Sequence, residues 1–133
     1  KRPVALPLIF LAILLAGIGT FFKLKKVRMN GTILDGSNLR RSDFQQASFK
    51  AASLKDTDFS GGELRGANFH QANLTGAYFN DADLREVDFT GADLTGTSFL
   101  RADLRGARFE NAVINETVFT DAVGVPERFQ LVV

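Results

Sequence analysis

An all-β solenoid is the fold predicted by this sequence of 133 residues, and three regularities carry the prediction. Eighteen consecutive fifth positions, from Leu34 to Phe119, are all large and apolar. The residue two before each is almost always small, as at Ala47, Ala52, Ala67, Ala72, Ala77, Ala82, Ala92, Ala102, Ala107 and Ala112, with Val87 the larger exception. The last position of the unit is often glycine, as at Gly36, Gly61, Gly66, Gly76, Gly91, Gly96 and Gly106. Neither the 3.6-residue period of a helix nor the two-residue period of a flat strand needs such a register. A large and a small residue two apart share one face of a short strand. Glycine after them permits the positive φ that a tight corner can require.

A short strand and a corner every five residues close only by winding round a narrow axis, each coil hydrogen-bonding to the next. From Phe49 onward phenylalanine alternates with leucine or isoleucine, which predicts a core stack of Phe49, Phe59, Phe69, Phe79, Phe89, Phe99, Phe109 and Phe119. The residue between the small and the large one is often Asn or Asp, as at Asn68, Asn73, Asp83, Asp88, Asp93 and Asp103, and must point outward. Proline, which would remove a ladder donor, is absent between Leu34 and Phe119. Stretches such as Ala67-Asn68-Phe69-His70-Gln71-Ala72-Asn73-Leu74-Thr75-Gly76 and Ala82-Asp83-Leu84-Arg85-Glu86 closely resemble the pentapeptide-repeat family, whose motif is A(D/N)LXX. The resemblance covers about two thirds of the chain. It implies a right-handed quadrilateral β-helix with four pentapeptides per coil, here about four and a half coils over residues 29–122.

The N-terminal part differs in kind. Residues 1–28 carry six basic and no acidic side chains, whereas positions 30–122 hold nine basic against fourteen acidic, a net of −5. Val4 to Phe22 is free of charge, and nineteen residues of helix would span about 28 Å, close to a bilayer core of about 30 Å. The expectation is one transmembrane α-helix flanked by Lys1 and Arg2 before it and Lys23, Lys25, Lys26 and Arg28 after it. Ala5, Ala12, Ala16 and Gly19 would let another helix approach closely. A cleaved signal peptide is the competing reading, opposed by the length of the apolar run. The basic residues after the span predict a single-pass membrane protein with its rod on the cytoplasmic or stromal side. Residues 123–133 leave the register at Gly124 and Pro126 and form a C-terminal cap or docking tail.

Catalytic chemistry is not expected. The chain has no cysteine, and its one histidine, His70, falls on an outward position of a filled rod. The glycines recur at corners, not in a phosphate-binding loop ahead of a helix. No cofactor and no metal are expected, and no nucleic acid. With twenty residues per coil, one side presents Asp43, Glu63, Asp83 and Asp103 beside Gln45, Arg65, Arg85 and Arg105, a charge ladder whose neighbouring columns compensate. Another side presents Tyr78, Leu100 and Val118, with Val113 on the preceding face, and few charges nearby. That patch is the candidate partner-binding face, because interface cores favour tyrosine and aliphatic groups.

The expected function is therefore that of a non-enzymatic membrane-anchored scaffold or accessory subunit. It would bind membrane lipid and the protein subunits of a larger membrane complex. The distribution of the resembled family in cyanobacteria and chloroplasts points to a photosynthetic, thylakoid complex. The alternative is a DNA-mimic regulator of a DNA-binding protein such as gyrase, as some members of that family are.

Overall fold

The computed structural model describes residues 22–130. It is a parallel β-solenoid in which residue i pairs with residue i+20, from Lys23↔Asp43 to Asp103↔Val123. Four columns of paired residues follow, one per face, and they begin at Lys23, Arg28, Ile33 and Asn38. From Lys23 to Val123 the twenty-residue step is taken five times. Pairing thus starts earlier than residue 29, and Lys23 to Arg28 belong to the first coil rather than to a flank. The physical reason is that Leu24 and Met29 continue the every-fifth series backward: Met29 is buried, and Phe22, Leu24 and Val27 pack against the same core.

Each face is built alike. The large residue donates its N–H to the coil above, as Leu74 does to the Asp93 carbonyl at 2.9 Å, and the outward residue donates to the coil below, as Asn73 does to the Ala52 carbonyl at 2.9 Å. The corner closes by a bond from the residue three after the large one, for example Ala77 N–H to the Leu74 carbonyl at 2.9 Å. Together with a positive φ at the third residue this is a type II turn. Every corner from Lys26 to Asp121 has that positive φ. Glycine supplies it at eight of the corners from Gly31 to Gly106, while twelve are held by other residues, among them Ala51 (φ 59°) and Gln71 (φ 58°).

Inside, the rings form two columns. Phe59 and Phe79 stack with centroids 5.1 Å apart and planes at 2°, Phe79 and Phe99 at 5.4 Å and 8°, and Phe49 and Phe69 at 5.1 Å and 7°. Between columns the rings meet edge to face, as Phe69 and Phe79 do at 5.5 Å and 82°. Such geometry adds to what burial alone contributes. Three hydroxyls at the small position are satisfied by the coil below: Thr57, Thr97 and Thr117 donate to the carbonyls of Leu34, Leu74 and Leu94 at 2.7–2.9 Å.

The solenoid stops where Gly124 occupies a large-residue position. At φ +78° its Cα lies so close to the coil beneath that an added Cβ would stand 2.5 Å from the Arg105 nitrogen. The chain then turns through Pro126 into a 3-10 turn, Glu127–Phe129. Phe129 lies over the open end, stacked on Phe119 at 5.6 Å and edge-on to Phe109 at 5.4 Å.

Among the described residues no helix is long and apolar enough to cross a membrane. The span expected from Val4 to Phe22 falls almost wholly outside those residues, as do Ala5, Ala12, Ala16 and Gly19. Phe22 itself packs against the solenoid core.

Two substitutions check this account by chemical denaturation. Phe79→Ala, which empties one rung of a stack, is expected to cost about 3–5 kcal/mol. Gly124→Ala forces backbone against backbone and is expected to cost roughly 1–3 kcal/mol, with faster proteolysis of the tail beyond it.

Candidate functional site

The outward surface is organised by the Asn/Asp position. Its side-chain oxygen accepts the N–H of the residue two further on, the one turn donor that points away from both neighbouring coils. Asn68 receives His70 N–H at 2.8 Å, Asp88 receives Thr90 at 2.8 Å, and Asn73 and Asp93 receive Thr75 and Thr95 at 3.1 Å. Where serine stands instead, the coil below substitutes. Asn30 accepts Lys50 N–H at 3.1 Å and the Ser48 hydroxyl, and Asp35 accepts Lys55 N–H at 2.9 Å and the Ser53 hydroxyl at 2.7 Å. The sequence shows only that this position faces outward; the structure gives the reason for the residue type.

The ladder of Asp43, Glu63, Asp83 and Asp103 occupies one paired column. The neighbouring column compensates two of its rungs, each within a single coil. Arg85 forks onto Asp83 of its own coil at 2.9 and 2.6 Å, and Arg105 forks onto Asp103 at 2.9 and 2.5 Å. Arg65 turns away to Glu86 at 3.3 Å, leaving Glu63 to accept from Gln45 at 3.2 Å. These pairs are solvated, so each contributes little to stability. Among the described residues no group of three or more acidic or histidine side chains could hold a metal ion.

Tyr78 is exposed on the face whose column runs Asn38, Asp58, Tyr78, Ser98, Val118. Val118 is exposed two coils further along it, Val113 is exposed on the preceding face, and Leu100 is half-buried beside Ser98. The face is less free of charge than expected. Arg101 forks onto Asp81 at 2.7 and 3.0 Å along one border, and Arg40 meets Asp58 at 3.0 Å below Tyr78.

Sequence reading missed Val123, exposed on the charge-ladder face. With Val113 and Val118 it makes three consecutive outward positions of the last coil valine, where the coil before has Asp93, Ser98 and Asp103. The signal was in the sequence, as the every-fifth series offset by one. Above this collar the N–H groups of Ile114, Glu116, Phe119 and Asp121 have no acceptor among the described residues. A cavity of about 740 Å³ opens there, lined by Thr117, Phe119, Ala122, Val125, Phe129 and Gln130 among others.

The carboxylates respond to these partners. Hydrogen bonds from Arg85, Arg105 and Arg101 hold Asp83, Asp103 and Asp81 below the ordinary value of 3.8. At Asp58 and Asp88 burial pushes upward, and bonds from Ser60 and from Thr90 outweigh it, so both are lowered. A depressed carboxyl contributes stability that is present above its unfolded pKa and is lost as pH falls through the folded value. Thermal stability is therefore expected to stay level from neutrality down to about pH 4 and to fall below it. Melting followed by circular dichroism across that range checks this. Asp93→Ala is expected to cost about 0.5–1.5 kcal/mol, most of it restored by Asp93→Asn, which keeps the acceptor.

Comparison with known proteins fits the geometry. Residues 23–61, 63–101 and 82–121 match the family described as Pentapeptide repeats, in eight copies. A pentapeptide repeat protein from the Arabidopsis thaliana thylakoid lumen is 30% identical, with 80% of this chain and 68% of that one covered and a TM-score of 0.59. The full-length plasmid-mediated fluoroquinolone resistance protein QnrB1 is 24% identical over 72% of this chain, with a TM-score of 0.60. This chain covers 48% of QnrB1, about half its length. No curated protein matches. The localisation expected from sequence, a single-pass membrane protein with its rod on the cytoplasmic or stromal side, is corrected: no helix among the described residues could span a bilayer, and the Arabidopsis chain comes from the lumen, across the membrane from the stroma. The register, the type II corners and these matches make the chain a member of the pentapeptide-repeat family.

Proposed function

We propose that this protein is a non-enzymatic interaction scaffold that holds a protein partner on the Tyr78 side and the C-terminal coil of its rod. The observation that carries the reading is the placement of apolar surface. Of the exposed large hydrophobic side chains among the described residues, Tyr78, Val113, Val118 and Val123 lie from the middle of the rod to its last coil, and only Ile33 lies elsewhere. Exposed apolar groups that gather in one region mark contact surfaces, whereas scattered ones need no explanation. The ladder edge above the valines adds backbone donors that have no acceptor among the described residues, which an extended partner segment could satisfy.

A filled bore favours binding over turnover. The large inward side chains from Met29 to Leu104 are buried, so no cleft runs through the rod. The DNA-mimic reading draws less support, because Asp81, Asp83 and Asp103 are matched by arginines instead of forming a bare acidic track.

Affinity capture from cell extract, followed by mass spectrometry, tests the proposal. The doubly substituted Tyr78→Asp/Val118→Asp chain is expected to keep its circular dichroism spectrum and to lose at least about tenfold of the recovered partner, since a buried unpaired charge costs more than the roughly 1.4 kcal/mol that tenfold represents. Equal recovery by the substituted chain defeats it.

A further inference from the structure

Twelve of the cations among the described residues fall into two populations. Arg40, Lys55, Arg65, Arg85, Arg101, Arg105 and Arg108 each have a carboxylate within 4.0 Å. Lys23, Lys25, Lys26, Arg28 and Lys50 have no such partner among the described residues, and all five are exposed. Residues 1–21 and 131–133 contain no Asp or Glu side chain that could serve them.

These five lie together. Lys23 is the outward residue of one face, Arg28 that of the next, and Lys25 and Lys26 form the corner between. Above them the second coil offers Asp43, Gln45, Gln46 and Ser48, a single acid, and then Lys50. A coil is about 4.8 Å high, so four like charges share one corner and the fifth stands a coil away. Most cations elsewhere on the rod have a carboxylate beside them, yet here like charges repel one another and remain.

We infer that this corner of the first coil is a docking site for a short acidic segment of a partner protein. It is a different surface from the Tyr78 side and stands independently of that proposal. Charge complementarity identifies the ligand as anionic, and the size of the patch selects among anions. Duplex DNA carries one charge per about 1.7 Å of its axis, and its bulk would press against the column of Asp43, Glu63 and Asp83 adjoining Lys23. A segment of about five residues, at about 3.3 Å each, can follow the coil from Lys23 to Arg28 and meets that acidic column only at its Lys23 end, beside Asp43. Lysine suits such a ligand, being a mobile point charge without the planar fork that selects a rigid bidentate group.

The experiment titrates the full chain, in neutral detergent, into a fluorescein-labelled deca-glutamate peptide and reads anisotropy. Binding is expected at about 20 mM salt, weakening about tenfold or more by 200 mM as screening shortens. Lys25→Ser/Lys26→Gly/Arg28→Ser is expected to abolish it while Tyr78→Asp leaves it unchanged. Lys50→Ser alone, a single exposed change that spares the corner fold, is expected to weaken it about threefold, or roughly 0.65 kcal/mol. No peptide binding at low salt, or binding that both sets of lysine variants retain, overturns the inference. Tighter binding of a duplex of equal charge, or of phosphatidylglycerol vesicles, overturns it too, because phosphate and not an acidic polypeptide would then be the ligand.

Discussion

The hydrogen bonds that tie each coil to the one twenty residues away are the constraint on which the rest of the molecule depends. They are parallel and continuous along all four faces, so no face can slip relative to another. Once the pairing is fixed, like stands over like. Phenylalanine rings stack at 5.1–5.5 Å inside, and outward side chains fall into columns whose members cannot avoid one another. The interior leaves room for one large and one small residue per face, and this is why volume is so strictly periodic while chemistry outside is free to vary.

That freedom is not total. Asparagine and aspartate recur outside because each corner leaves one N–H that neither neighbouring coil can accept, and a short side-chain acceptor two residues earlier reaches it. Where the acceptor is missing, the coil below lends one, as Asn30 and Asp35 do. Outer decoration and inner packing are thus linked through the backbone.

The sequence makes the inward positions legible because periodicity reports volume directly: the large residues from Leu34 to Leu104 and Phe109 are buried where the register puts them. The first coil is harder to read, since Lys23, Lys25, Lys26 and Arg28 look like the basic flank of an apolar run, and only Leu24 and Met29 betray the register beneath them. Side-chain pairing is harder still. Arg85 chooses its own coil and Arg65 the next, although both occupy one column, because the choice turns on a neighbour such as Glu86 that lies off the column. Tyr78 and Val118 can be placed on a face from sequence alone, whereas the ion pairs bordering them emerge only from the folded chain.

The corners carry a further meaning. Twelve of them hold a side-chain-bearing residue in a left-handed conformation that costs about 1 kcal/mol for an ordinary L-residue. Folding cooperativity must absorb that cost, so the coils cannot be equally robust: a stretch such as Arg41 to Asp56, with four non-glycine corners in a row, is more heavily loaded than the stretch from Gly91 to Gly96. A rod that looks uniform in its geometry is therefore graded in its mechanics, and under tension or heat it has an order of opening written into its corners.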